Sequence, residues 1–518
     1  MSKIAKASLL LTGINICGVT LVFLSNIVIA RYFGAGKEMD IYFSAITLPL
    51  YIVTIFSFTL SFTFIPIFSQ AEKRAERHLW ETTSSFLNLS SILAVLICVA
   101  GIYFSKELMS VIVPGFSQDE VRRAAVLMSL MFPIIIFSVI NELMASIYYS
   151  HNRFLAPSLN KLLGPSFTIL FVLMFGSRLN TSSLVIATIT AYFVQMVILL
   201  LGFLKNKDFR YSFYINIRDP EMKKIFGLMA PLVITMLITK AMPLTDRYFL
   251  SQFPEGSITF VSYAYRITLR LLEIVVSGIT VALFPAMAAS AGLPDRRNLY
   301  YYMTRGIKVT FFFIVPFAVL FMFFGKPAIR IIFEGGKFSS HDVDAMFKPF
   351  SLYLISAPAI AVAGILYKTF YALQKNLFIA SVNVAMTLLY IGLCAALLKY
   401  FGYLAIPLAH AISFNLNMVI AAVLINKYLR TSGYYSFVPE IGKNLLCAFG
   451  IALIFWPLMK AVAGDPAAYF LSCLLYLIAY FFLAKNIFRL EASEVIWKHV
   501  AVYDKVLCDA ICASRKTP

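Results

Sequence analysis

Arg266, Arg270 and Glu273 punctuate a stretch that is otherwise almost wholly apolar. In a helix, the spacing i, i+4, i+7 puts all three on one face. At a rise of 1.5 Å per residue they cover about 10 Å of helix length. Two guanidiniums stacked in this way suit an anion, because the planar arginine fork matches phosphate oxygens in pairs. Glu273 would neutralise Arg270 while such a site stands empty. The competing reading is a structural ion network, but arginines do not usually outnumber acids in one.

Other charges also fall within apolar runs, where they are expensive and by default line a cavity or pair with one another. Lys240 sits near the middle of its run and is expected to point into a cavity, with Asp246 and Arg247 toward the end of the same run. Asp246 is expected either to pair with Arg247 or Arg266, or to bind a cation. Glu142, beside Asn141, is expected to face the same cavity. Lys368 stands a turn from the end of its span and can snorkel. Asn15, Gly18, Ser25 and Asn26 form a mildly polar stripe suited to helix packing. Catalytic arrangements are missing: the five histidines are isolated, and there is no His-Glu-x-x-His and no Ser-His-Asp set. No metal-ligand spacing occurs either. The chain is therefore read as a non-enzyme without a cofactor.

The elements that must position these residues are membrane helices. The chain is 60% hydrophobic and 13% charged, and apolar runs of about twenty residues recur along it, such as 9–29, 183–203 and 467–483. A bilayer core of ~30 Å needs about 20 helical residues to cross, and backbone groups in lipid must be paired internally. The alternation of an outer-membrane barrel is absent. The expected fold is an all-α polytopic membrane protein of about fourteen transmembrane helices.

An internal repeat orders them. Arg31-Tyr32-Phe33 after the first span is echoed by Arg247-Tyr248-Phe249 after the seventh, Phe64-Ile65-Pro66 by Leu283-Phe284-Pro285, and Tyr149 to Arg153 by Tyr371 to Lys375. The offsets are all roughly 216 to 222 residues, as in an internal duplication. Each copy holds about six spans, so both enter the membrane in the same orientation, and parallel repeats of this kind place a transport pathway between two pseudo-symmetric bundles. The expected division is a six-helix bundle over 1–204, a cytoplasmic connector over 205–225 and a second six-helix bundle over 226–429. Two additional helices follow over 430–488, then an amphipathic cytoplasmic tail over 489–518.

The net charge of +19 is not a nucleic-acid signature, because Lys and Arg concentrate in alternate loops. This asymmetry follows the positive-inside rule and places both termini in the cytoplasm. The first apolar run is too long for a signal peptide and is read as a retained helix. The seven cysteines are scattered, mostly within spans, and imply no disulfide framework; Cys508 and Cys512 stand four apart in the tail. No extramembrane segment is large enough for a catalytic domain, and no Gly-rich nucleotide loop is present.

Phe33-Gly34-Ala35-Gly36 with Asp40, Asp246-Arg247 with Pro254-Glu255-Gly256-Ser257, Tyr263-Ala264-Tyr265-Arg266, Phe333 to Phe338, and Phe370-Tyr371-Ala372-Leu373 occur in that order. In these segments the chain resembles the MurJ (MviN) family of the multidrug/oligosaccharidyl-lipid/polysaccharide exporter superfamily. The resemblance implies a flippase for undecaprenyl-diphosphate-linked sugars in the bacterial inner membrane. It also implies a cationic central cavity holding Arg266, Arg270, Lys240 and Glu273, and a groove for the lipid tail lined by the last two spans. Alternating access would be coupled to membrane potential or a monovalent cation, with Arg31, Asp40, Glu142, Asp246 and Arg247 in conformational or ion-coupling roles. The partners implied are the lipid-linked glycan and membrane lipids. Lipid II flippases of the family typically carry arginines in the first span and early in the second. Here those stretches read Val19, Ser25-Asn26 and Tyr51 to Thr54. The expected cargo is therefore an exopolysaccharide or O-antigen unit, with lipid II retained as an option. The alternatives are a cation-coupled small-molecule antiporter on the same scaffold and a membrane glycosyltransferase or polymerase.

Overall fold

Glycine and proline cut an otherwise continuous succession of apolar helices. The computed structural model describes residues 3–71, 76–151, 153–205, 210–291, 296–429, 437–462 and 464–492. Cys508, Cys512 and nearly all of the expected tail helix lie outside them. Three helices open the chain: α1 (Lys3–Phe33), α2 (Lys37–Ala71) and α3 (Glu76–Tyr103). A short α4 (Ser105–Ile112) follows. The next two spans are each built from two pieces, α5 (Gln118–Met131) with α6 (Ile134–Ser150), and α7 (Leu155–Asn160) with α8 (Leu163–Leu179). Then come α9 (Ser182–Lys205) and a third interrupted span, α10 (Pro220–Thr239) with α11 (Met242–Leu250). The remainder is α12 (Ser257–Ala291), α13 (Arg297–Phe333), α14 (Ser340–Ala372), α15 (Asn376–Phe401), α16 (Ala405–Leu429), α17 (Val438–Ala461) and α18 (Pro466–Asn486).

Twelve segments of the described residues are long and apolar enough to cross a bilayer. One of them, Asn376–Leu429, contains both α15 and α16, and the 35-residue α12 stands outside the twelve. Counting these brings the spans to the expected fourteen or so. Among the described residues, pairing of the β type is confined to one bridge between Gly335 and Phe338.

The chain packs as two compact units. The first comprises Met1–Tyr263, Phe333–Met346 and Thr387–Ala409. At its core α2 lies against α6, burying Met39, Phe43, Leu60, Ile135, Val139 and Leu143. The segment 210–219 is strapped along α3 by side chains. Ser84 and Ser85 accept from the backbone N–H of Ser212 and Asn216, Asn88 donates to the carbonyls of Ser212 and Tyr214, and Thr82 donates to Asp219.

The second unit comprises Ala264–Ile332, Phe347–Met386 and His410–Pro518. Within it the two C-terminal helices are fastened to α13 by a row of buried tyrosines on α18. Tyr480 donates to the Phe312 carbonyl at 3.1 Å and to Asn444 at 2.9 Å. Tyr476 reaches the Ala448 carbonyl on α17, and Tyr469 the Phe324 carbonyl. A buried phenol needs a partner for its O–H, and here backbone carbonyls supply it. The opposite faces of α17 and α18 carry Leu446, Leu453, Ile454, Phe482 and their neighbours fully open, as a lipid-facing surface requires.

Candidate functional site

In the first unit, Asp40 is buried one turn into α2 and faces the start of α12. Its Oδ2 accepts from the N–H of Gly256 at 2.7 Å. Its Oδ1 accepts from the N–H of Thr259 at 2.8 Å and from the Thr259 hydroxyl at 2.6 Å. This is an N-cap supplied from more than two hundred residues away, satisfying N–H groups that a helix start leaves unpaired. The favour is returned: Glu255, just ahead of α12, accepts from the N–H of Lys37 at the first residue of α2, at 2.7 Å. The second spans of the two sequence repeats thus cap each other. Gly256 adopts φ +87° to make the turn.

The two glycine-bearing motifs also meet. The N–H of Lys337 donates to the Arg31 carbonyl at the end of α1, at 2.8 Å. Gly34 at φ +74° and Gly336 at φ +59° both adopt left-handed conformations. A Cβ on Gly34 would stand 2.6 Å from the Lys337 carbonyl oxygen, and one on Gly336 would collide with that of Arg31. Only glycine fits both positions. Arg31 contributes its carbonyl to this contact, and its side chain is exposed. Phe43, Tyr263, Phe338 and Phe333 continue the contact as a chain of ring packings with centroids 5.4 to 6.3 Å apart.

The span carrying Lys240 is broken, not continuous. Pro243 has no N–H to give the Thr239 carbonyl four residues back, and its ring would crowd that carbonyl. Accordingly α10 stops at Thr239, Lys240 forms its C-cap, and α11 restarts at Met242. Lys240 is exposed and makes no side-chain hydrogen bond or ion pair with any described residue. Asp246 and Arg247, on α11, turn to different partners. Asp246 accepts from the Tyr390 hydroxyl. Arg247 is buried, donates from Nε to Thr47 at 3.2 Å and lies 6.0 Å from the centre of the Phe43 ring. Asp246 and Arg247 still attract each other as neighbours, while these hydrogen bonds run to different elements because adjacent residues on a helix point about 100° apart. Glu142, on α6, is half-buried and accepts from Ser61 of α2 at 3.5 Å, while Asn141 accepts from Asn160.

In the second unit, Arg266, Arg270 and Glu273 follow one face of α12. From Ser257 they lie about 14, 20 and 24 Å along the helix. Arg270 pairs with Glu273 through Nη1, and its buried Nε has no partner among the described residues. Arg266 is half-buried and makes contacts of its own. Lys368, on α14, is half-buried. Glu255, Thr259, Tyr390 and Thr47 are the partners that sequence reasoning missed. The Glu-Gly-Ser ahead of an apolar run does signal a helix start, but nothing local names the carboxylate that caps it.

The family model of the lipid II flippase MurJ matches residues 29–484. A probable lipid II flippase MurJ of Buchnera aphidicola subsp. Schizaphis graminum is 26% identical over 359 residues, 68% of this chain and 70% of that relative. The lipid II flippase MurJ of Burkholderia cenocepacia is 23% identical over 506 residues, 92% of this chain and 96% of its own length. Among solved structures, a lipid II flippase MurJ in an inward closed conformation has a TM-score of 0.78 at 21% identity, covering 93% of this chain and all of that one. An inward-facing multidrug resistance MATE family transporter of the MOP superfamily has a TM-score of 0.69 at 14% identity, covering 80% and 96%. At these identities the structural likeness speaks for the fold.

Proposed function

Because the chain belongs to the MurJ family of lipid II flippases, we propose that it carries a polyprenyl-diphosphate-linked saccharide from the inner to the outer leaflet of a bacterial inner membrane. The task is to shelter a charged, sugar-bearing head from lipid while its tail stays there. The observation that carries the reading is the α12 face. Among the described residues, Arg270 is held by Glu273 through one guanidinium nitrogen, and its Nε has no partner. A diphosphate oxygen would compete for that guanidinium, with Arg266 one turn away on the same face. Lys240, at the break between α10 and α11, is assigned to the same headgroup.

We further propose that the cargo is an exopolysaccharide or O-antigen type unit rather than lipid II. The first two spans offer no cation at Val19, Ser25-Asn26 or Tyr51 to Thr54. The polar side chains there are already engaged by backbone carbonyls: Ser25 and Asn26 both donate to that of Val22, Thr54 to that of Leu50, and Tyr51 to that of Leu237 on α10. Headgroup recognition therefore rests on the second repeat. The frame of this reading is the pair of bundles over 1–204 and 226–429, with both termini cytoplasmic. The Asp40 and Glu255 caps serve as the latch of one end state. Coupling to membrane potential or a monovalent cation is assigned to Asp246, Arg247 and Glu142, with no cofactor.

The test is a transport assay in cells lacking the protein, reading the exposure of lipid-linked glycan at the outer face. Arg266→Ala and Arg270→Ala should each reach the membrane at wild-type levels and lower transport about 30- to 150-fold, the equivalent of one charge-assisted clamp contact of ~2–3 kcal/mol. Full transport by both variants would remove the headgroup role from α12.

A further inference from the structure

The first unit holds a second charged site that the transport reading leaves unused. The starts of α2 and α5 and the turn between α8 and α9 enclose an open cleft of about 460 Å³. Its lining includes Glu38, Asp119, Arg122, Arg123, Val126 and Thr181. Arg123 is committed to Glu38 in an ion pair. Arg122 and Asp119 are different. They stand three apart on α5 and both are exposed; Asp119 feels the charge of Arg123 one turn on, but neither residue forms a close ion pair with any described residue. The cleft thus presents one open cation and one open anion side by side.

The α8–α9 turn adds a second source of positive potential. Ser183 and Leu184 donate their N–H groups to the carbonyls of Asn180 and Thr181, and at the head of α9 the N–H groups of Thr181 and Ser182 have no backbone partner among the described residues. Such a helix start favours a phosphate. Thr181 is 4% exposed and lines the cleft.

Below the charges the surface turns apolar. One and two turns along α5 from Arg122, Val126 and Leu130 are 54% and 48% exposed, and Leu179 and Phe175 on α8 are similarly open. A polar cleft at the head of an apolar helix face is the shape of an amphiphile, not of a soluble ion.

We propose that this cleft binds one membrane glycerophospholipid whose headgroup carries a primary ammonium. The phosphate lies against Arg122 and the head of α9, the ammonium against Asp119, and an acyl chain along Val126 and Leu130. Charge balance selects this class. A headgroup without an ammonium, such as glycerol, would bring no cation to Asp119, and a trimethylated ammonium has no N–H to donate to that carboxylate.

The experiment is native mass spectrometry of the full-length protein in detergent, with phosphatidylethanolamine, phosphatidylglycerol and phosphatidylcholine of identical acyl chains added in equal amounts. The wild type should retain one phosphatidylethanolamine in preference to the others. Arg122→Ala should lower that occupancy about tenfold or more, and Arg122→Lys should fall between. Asp119→Asn should erase the preference over phosphatidylcholine while leaving total lipid retention in place, a readout that a folding defect would not reproduce. Soluble glycerophosphoethanolamine at the same concentration should not displace the lipid. Equal retention of the three lipids, or occupancy indifferent to Arg122→Ala, overturns the site. Displacement by the soluble headgroup makes it a phosphate-ester site and overturns the lipid.

Discussion

Replacing Asp40 tests the reciprocal caps most directly. In Asp40→Ala, the N–H groups of Gly256 and Thr259 and the Thr259 hydroxyl all lose their acceptor at once. A hydrogen bond to a charged group contributes about 1.5–3 kcal/mol, and loss of an N-cap costs about 0.5–2 kcal/mol. The carboxylate no longer has to be desolvated and water can reach the vacated space, so the net cost is about 3 kcal/mol, not the sum. Asp40→Asn keeps one acceptor oxygen for Thr259 but turns an NH₂ toward the Gly256 N–H, and should cost about half as much. Hydrogen–deuterium exchange on the peptide spanning 254–262 reads this locally. Protection at Gly256 and Thr259 should drop by about two orders of magnitude for Ala and about tenfold for Asn, since 1.4 kcal/mol is a factor of ten. Unchanged exchange in Asp40→Ala would refute the capping argument, whatever happened to transport.

Three further outcomes are expected. Gly336→Ala should destabilise the contact between the 334–338 turn and the end of α1 by about 1–3 kcal/mol, because φ +59° and a Cβ against the Arg31 carbonyl both oppose it; an unchanged melting temperature in detergent would count against that contact. A cysteine at Arg296 should resist impermeant thiol reagents in intact cells while one at Gly335 labels, and the reverse pattern would invert the proposed orientation. Depletion of a resident lipid II flippase should not be rescued by this protein at verified membrane levels; rescue would show that the α12 arginines suffice for lipid II and would reassign the cargo.

What was legible in the sequence was whatever repeats at short range. The apolar runs gave the spans, and the segments that carry the family resemblance hold the glycines at 34, 256, 335 and 336, which the structure places at positive φ. The spacing of Arg266, Arg270 and Glu273 gave one helical face, and the Arg270–Glu273 pair was expected. The break at Lys240 was hidden because a single proline in an apolar run marks a kink, a stop or a first turn with equal force, and only packing decides. The Tyr390 partner of Asp246 was hidden because it lies 144 residues on. The Asp40 cap was equally remote, although the repeat offset of about 216 residues already placed its two halves in equivalent positions. The tyrosine row on α18 read as ordinary apolar filling, since hydroxyl partners that are backbone carbonyls leave no trace in composition.

Lys240 and Arg270 show two ways to keep a cation in an apolar helix, and they differ in what can remove the counter-charge. Glu273 is a side chain: a proton, a competing anion or a rotamer change can withdraw it from Arg270. Lys240 instead closes α10, where aligned peptide dipoles gather the equivalent of about half a negative charge on the final carbonyls. That half-charge cannot be titrated or swung aside. It exists for as long as the chain stays interrupted between Thr239 and Met242, so the electrostatics at Lys240 are set by covalent geometry, through the missing N–H of Pro243, and not by the ionic conditions on either side of the membrane.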